Sequence, residues 1–264
     1  MHAMLNIGVG AARRAGDLIV RQLNRLDTLT VDIKGRNEFV TQVDRAAEQI
    51  IIEHIRKHYP EHGFLGEESG AQGSSDHQWI IDPLDGTTNF IHGFPVFAVS
   101  IGLAVKGRVE HGVVYDPMRQ EIFAASRGQG ALLDDRRIRV SRCGTLERAL
   151  IGTGFPYRGD SIATGRYLAM LKVVIESTAG VRRPGAAALD LCYVAAGRLD
   201  GFWELGLKPW DMAAGSLIIR EAGGRISDFQ GGDGYLESGS VIAGNPKIYA
   251  ALSKLLAPHA RDLP

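Results

Sequence analysis

The chain has 264 residues, enough for one large domain or two closely joined lobes with a substantial core. Thirty basic side chains balance thirty acidic ones, which excludes a global field for nucleic acid or membrane surfaces but still allows a local basic patch. Hydrophobic residues make up 45% and charged ones 23%, as in a soluble globular protein, and no stretch approaches the roughly eighteen uninterrupted apolar residues of a membrane span.

The opening Met1-His2-Ala3-Met4-Leu5-Asn6-Ile7 lacks the basic start and apolar core of a signal peptide, so a cytoplasmic location is expected. Residues 3–26 carry Leu5, Val9, Ala12, Ile19 and Leu23 at helical spacing and predict an amphipathic helix. Gly8-Val9-Gly10 follows no strand and has Arg at 13, so it is not read as a dinucleotide loop. A polar link containing Lys34-Gly35 leads to Thr41, an N-cap for a second helix through Tyr59 that Pro60 closes. Asp44 falls in that helix's first turn, where the dipole favours a carboxylate. His54, His58 and His62 recur every four residues, but Pro60 breaks the register, and a solvated helix face is expected rather than a metal site. Gly66-Glu67-Glu68-Ser69-Gly70 is a glycine-bracketed acidic loop.

Trp79-Ile80-Ile81 reads as a short buried strand that delivers Asp82 to its end. Pro83 has no N–H, so the ladder is expected to stop there. A turn over Asp82-Pro83-Leu84-Asp85 brings its end Cα atoms within about 7 Å. Both carboxylates and the Leu84 carbonyl then converge as a hard-oxygen site of the kind Mg²⁺ prefers. Beyond Gly86, Thr87 and Thr88 offer hydroxyls and N–H groups suited to a phosphate. Asp-Pro-x-Asp-Gly is also the composition of a plain surface turn. The apolar strand feeding it and the acids elsewhere favour a site.

Phe97 to Val105 and Val109 to Tyr115, joined by Lys106-Gly107-Arg108, predict an antiparallel hairpin, and 121–125 and 131–133 continue the strand-rich region. A strand at 149–153 starts a second lobe, giving an expected division into 1–145 and 146–264 within one compact unit. A helix over 161–177, a strand at 181–183 and a small-residue helix from Gly185 to Gly197 follow. Arg182 and Arg183 read as surface charge or an interface ion pair. Cys143 and Cys192 stand in unrelated segments and form no metal or redox spacing. A strand from Gly201 to Leu205 carries Glu204, and Asp211 reads as N-cap of a helix to about Ala222. Strands at 225–228 and 240–243 and a helix over 246–256 close the chain.

The candidate carboxylates are therefore Glu67, Asp82, Asp85 and Asp211, with Asp44 and Glu68 as outer candidates. Four acids in one cleft repel strongly unless cations hold them together. Gly66-Glu67-Glu68-Ser69, the run from Trp79 to Phe90, Trp210-Asp211-Met212-Ala213-Ala214-Gly215 and Glu221-Ala222-Gly223-Gly224 resemble the inositol monophosphatase family in order and separation, over nearly the whole chain. The opening heptapeptide, Tyr115-Asp116-Pro117-Met118-Arg119 and Arg127-Gly128-Gln129-Gly130-Ala131 further resemble its bacterial SuhB branch.

The resemblance implies an α+β fold, the layered αβαβα sandwich of the sugar-phosphatase type, as a homodimer. It implies two to three Mg²⁺ per subunit: one on Glu67, Asp82 and the Leu84 carbonyl, one on Asp82, Asp85 and Asp211, and a weaker one on Glu67 through waters. It implies that Thr87 pairs with Glu67 to activate the attacking water, with Asp44 and Thr41 behind the nucleophile. The Gly86 and Thr87 amides would bind phosphate, Ala187 and Glu204 with Asp85 and Asp211 would meet the substrate, and Lys34 and Glu68 would lie on loops near the site. The activity implied is Mg²⁺-dependent, lithium-sensitive hydrolysis of myo-inositol 1-phosphate and similar phosphomonoesters by metal-activated water. Alternative substrates on the same fold are a sugar bisphosphate such as fructose 1,6-bisphosphate, a nucleoside 3′,5′-bisphosphate or histidinol phosphate. A regulatory contact with RNA polymerase and Nus factors in ribosomal RNA transcription is the other reading. Neutral net charge argues against strong direct nucleic-acid binding, and no membrane partner is expected.

Overall fold

The chain opens with α1 (Ala3–Gln22), whose buried Leu5, Gly8, Ala11, Ala12, Ala15 and Ile19 form one core-facing stripe. The computed structural model describes residues 2–28, 31–35, 38–155 and 161–260. The α-helical part ends at Gln22 rather than at 26, and a 3-10 segment, Leu23–Thr28, follows it. In place of the polar link stands an antiparallel hairpin of β1 (Val31–Gly35) and β2 (Glu38–Thr41). Lys34, expected on a loop, thus lies in a strand. Thr41 also caps α2 (Gln42–Arg56), its hydroxyl accepting from the Val43 N–H at 3.0 Å. Asp44 completes a capping box by accepting from the Thr41 N–H at 2.8 Å.

An eight-stranded sheet follows: β3 (Gly63–Gly66), β4 (Gly70–Gln72), β5 (His77–Asp85) and, after the short α3 (Thr87–Ile91), β6 (Ala98–Val105), β7 (Arg108–Asp116), β8 (Glu121–Ser126), β9 (Ala131–Leu133) and β10 (Arg136–Arg137). Their spatial order is β10-β9-β8-β7-β6-β5-β3-β4, with β3 parallel to β5 and the other pairs antiparallel. The ladder does not stop at Pro83. Asp82 pairs with Ser100 and Asp85 with Ala98, so β5 takes one residue more than β6 over this step. The proline's missing N–H is absorbed in that bulge, which turns the strand end without ending it.

The second sheet has β11 (Leu150–Thr153), β12 (Gly180–Arg182) after α4 (Ser161–Ser177), and β13 (Gly201–Glu204) after α5 (Ala187–Ala195). Helix α6 (Pro209–Glu221), β14 (Arg225–Ser227), α7 (Tyr235–Ser238), β15 (Val241–Gly244) and α8 (Pro246–Leu256) complete it. The strand order is β12-β11-β13-β15-β14, the first three parallel and β15 antiparallel to both neighbours.

Three apolar clusters bind the layers. Helices α1 and α2 cover one face of the large sheet through Ile19, Ile51, Ile55, Phe64, Ile81 and Phe97. Helices α5 and α6 lie between the sheets, with Leu191, Val194, Leu217 and Phe202 in the central core. Helices α4 and α8 cover the outer face of the small sheet through Met170, Val174, Trp203 and Leu252. The stacking is the αβαβα sandwich, and each fully buried large apolar side chain stabilises it by about 1.5–3 kcal/mol. Contact between α6 and the large sheet is close: a Cβ on Gly112 would sit 2.8 Å from the Ala214 carbonyl oxygen. No described helix is long and apolar enough to cross a membrane.

Candidate active site

Asp82 stands at the bulge of β5, Asp85 at its end and Asp211 in the first turn of α6. Asp82, only 2% exposed, accepts the Leu84 N–H at 2.9 Å on Oδ1, the bonding of an Asx turn. Asp85 accepts the Ala188 N–H at 2.8 Å, so the first turn of α5 is pinned onto the end of β5. Asp211 is not the N-cap of α6: the helix begins at Pro209, and the Asp211 carboxylate reaches back to the Lys208 N–H at 2.7 Å. Glu67 stands in the turn between β3 and β4, its N–H donated to the Ile81 carbonyl at 3.1 Å.

Their charges act on one another. Burial pushes Asp82 well above the usual carboxylate range, and Glu67, Asp85 and Asp211 add to the rise. Burial followed by the nearby Asp211 raises Asp85 to about 8. Glu204 at the end of β13 is pushed well up by burial and then by Asp211 and Asp85. No lysine or arginine among the described residues relieves Asp82 or Asp85. Among the described residues no three such side chains close into a ready ligand cage, and Asp82, Asp85 and Asp211 each accept a backbone N–H on one oxygen. An all-oxygen donor set, buried at Asp82 and Asp85 and half-buried at Glu67 and Asp211, fits a hard divalent cation.

Asp44 connects this cluster to α2. Its Oδ2 accepts the Thr41 hydroxyl at 2.6 Å, and its Oδ1 lies 2.8 Å from the Thr87 hydroxyl. The Thr87 hydroxyl also lies 3.0 Å from the Leu84 carbonyl oxygen, so its one proton is held on this side. Burial raises Asp44, with the hydrogen bonds from Thr41 and Thr87 opposing the rise. Gly86 precedes α3, and no side chain caps that helix's first turn.

A model of the inositol monophosphatase family matches residues 1–263. The chain belongs to the inositol monophosphatase family. It is 56% identical over 264 residues to the Nus factor SuhB of Pseudomonas aeruginosa, covering 98% of this chain and 97% of that one. The crystal structure of the extragenic suppressor protein SuhB from Bartonella henselae superposes with a TM-score of 0.94 at 48% identity, covering 97% of this chain and 98% of that one. The inositol monophosphatase from Anabaena gives 0.84 at 38% identity, over 96% and 95% of the two chains.

Two buried acids of this inositol monophosphatase family member escape sequence reasoning. Asp190 on α5 is 1% exposed, is pushed up by burial and then by Glu204 and Asp85, and has Oδ1 without a hydrogen-bond partner among the described residues. An acid inside Ala187-Ala188-Leu189-Asp190-Leu191-Cys192 is the signal that could have found it. Glu48, 2% exposed on α2, accepts the Glu68 and Ser69 N–H groups at 2.9 and 2.8 Å. The Glu68 backbone is therefore placed, and the side chain of Lys34 lies outside the described residues.

Other residue types serve structure. The His62 ring accepts the Trp79 indole N–H at 3.0 Å and stacks on Tyr59 and His77, while His54 packs toward Gly10 of α1. The Arg183 guanidinium lies 4.7 Å from the Phe155 ring centre, and burial drives the Cys192 thiol up, away from nucleophilic use. A cleft of about 570 Å³ beside the 128–130 turn is lined by Arg137, Arg139, Arg220 and Glu221 and by none of the site carboxylates. Arg220 is committed to Asp233, and Arg139 donates to the Ile138 carbonyl.

Proposed function

We propose that the chain is a Mg²⁺-dependent phosphomonoesterase acting on myo-inositol 1-phosphate and related small phosphomonoesters. The observation that carries this reading is the mutual field of Glu67, Asp82, Asp85 and Asp211, with no basic side chain among the described residues relieving Asp82 or Asp85. Glu67, Asp82 and the Leu84 carbonyl would hold one ion, and Asp82, Asp85 and Asp211 another, with Asp82 shared. When bound, the ions supply positive charge to the phosphoryl oxygens and lower the pKa of the attacking water toward neutrality.

The protein groups do the rest. The Gly86 and Thr87 N–H groups hold the phosphate at the uncapped start of α3. Because the Thr87 proton is held by Asp44 or the Leu84 carbonyl, the hydroxyl's free lone pairs can accept a proton of the attacking water. Glu67 takes that water's other proton as general base. Thr41, through Asp44, fixes the Thr87 rotamer. Glu204 accepts a substrate hydroxyl beside the start of α5 at Ala187, and Asp85 and Asp211 face the same space.

The test is phosphate release from myo-inositol 1-phosphate as Mg²⁺ is titrated from zero, with and without lithium. A rate that requires Mg²⁺ and falls with lithium supports both the reaction class and the metal site. Release from a sugar or nucleotide bisphosphate alone would keep the site and change the substrate. No release from any phosphomonoester would overturn the reading.

A second reading is a protein contact in transcription, made by a cytoplasmic homodimer. The Nus factor name of the Pseudomonas relative favours it. Recovery of RNA polymerase on an immobilised, catalytically dead Asp82→Asn protein would support it, and failure to recover it would remove it.

A further inference from the structure

We infer that Glu48 is the positioning residue for Glu67: it clamps the backbone of the β3–β4 turn and so fixes where the Glu67 carboxylate stands. The inference rests on the reading of Glu67 as a Mg²⁺ ligand.

Glu48 lies four residues after Asp44, so α2 presents both acids on one face. Asp44 serves the Thr87 side of the site, and Glu48 serves the Glu67 side. Its two oxygens are used separately, Oε2 on the Glu68 N–H at 2.9 Å and Oε1 on the Ser69 N–H at 2.8 Å. A two-point, charge-assisted grip fixes the orientation as well as the distance of both peptide groups. On the other side of Glu67, its own N–H is held by the Ile81 carbonyl at 3.1 Å. The backbone is thus pinned before and after the Glu67 Cα. Glu48 reaches the cluster through the Glu68 and Ser69 N–H groups, so its influence runs through the turn.

Gly66 completes the device. A Cβ there would lie 2.4 Å from Glu48 Oε2, and Gly66 is not among the left-handed glycines, so its role is room for the carboxylate. The obstruction would meet only the far end of a flexible side chain. Gly66→Ala therefore keeps the Glu48 carboxylate but pushes it off the two N–H groups. Glu48→Gln keeps the volume but offers one oxygen where two are needed.

Full-length wild type, Glu48→Gln and Gly66→Ala are compared by calorimetric titration of Mg²⁺ into metal-free protein, well below each melting transition. Metal-free melting temperature and phosphate release are recorded alongside. Both variants should bind Mg²⁺ about 10–100-fold more weakly than wild type, as loss of an outer-shell support does. A purely structural Glu48 would lower the metal-free melting temperature and leave Mg²⁺ affinity unchanged, and that result overturns the inference. If Glu48→Gln does not fold, Gly66→Ala decides alone. Wild type that binds Mg²⁺ but releases no phosphate sinks the phosphatase reading while the comparison of variants still judges Glu48. Wild type that binds no Mg²⁺ removes Glu67 as a ligand, and the inference falls with it.

Discussion

Under the proposed function, the needs of folding and of catalysis are opposed at Asp82. The carboxylate is buried and pressed by Glu67, Asp85 and Asp211, so its charge is costly unless a cation offsets it. Asp82→Asn removes the charge and keeps the shape and the Leu84 hydrogen bond. Turnover should fall by more than the roughly 100-fold typical of losing an outer-shell support. The metal-free protein should melt a few degrees higher than wild type, at about 2–4 °C per kcal/mol for a chain of this size. Phosphate release and thermal melting of the two proteins check the pair of outcomes, and a variant with wild-type turnover would remove Asp82 from the site. Asp82, Asp85, Glu67 and Asp211 could be read from the chain because each stands at a turn or a helix start, where acids are conspicuous. Glu48 could not. An acid four residues after Asp44 on an amphipathic helix looks like solvated charge until the turn it grips is folded over it.

Among the elements, helix α6 shows how the site depends on packing far from it. The helix carries Asp211 in its first turn and lies on β6 and β7, with the Gly112 Cα facing the Ala214 carbonyl. Gly112→Ala must push backbone against backbone. Overpacking of this kind costs about 1–3 kcal/mol. We expect a lower melting temperature together with a higher half-saturating Mg²⁺ concentration, since a displaced α6 carries Asp211 with it. Melting curves and Mg²⁺-dependent phosphate release measure both, and an unchanged Mg²⁺ requirement would uncouple the helix position from the site. The hairpin of β6 and β7 and helices α2, α5 and α8 are visible in the sequence from apolar period and punctuation. Strands β1 to β4 are not, since Gly63–Gly66 and Gly70–Gln72 are too short and too rich in glycine to show a period of two. The Pro83 bulge is hidden for a different reason: a proline forbids one ladder bond, and tertiary pairing of Asp85 with Ala98 supplies the next.

For the whole molecule, the five-layer order depends on pairings that no local pattern contains, such as β13 beside β15 or α5 and α6 between two sheets. The family resemblance carried that order, and local reading carried only the elements. The same layering encloses Asp85, Asp190 and Glu204 together, and this gives the protein an unusual pH response. Burial and neighbouring carboxylates raise Asp85 to about 8 and hold Asp190 and Glu204 well above the ordinary range. In the unfolded chain such groups titrate near about 4. Between those values the folded protein binds more protons than the unfolded one, so stability falls as pH rises. His111 opposes this at acid pH, because burial and then the His2 charge lower it to about 4 from 6.5, and its contribution rises with pH only up to that value. Above it the acids act alone. The metal-free protein should therefore lose melting temperature from pH 6.5 through about 8, where Asp85 gives up its proton. Glu204→Gln should flatten the slope. Under the proposed function Mg²⁺ requires the ionised acids, so the melting temperature it restores should grow across the same window. Melting curves at stepped pH, with a chelator and then with Mg²⁺, read both trends. A metal-free protein that gains stability across this window would mean that these carboxylates are solvated rather than enclosed together.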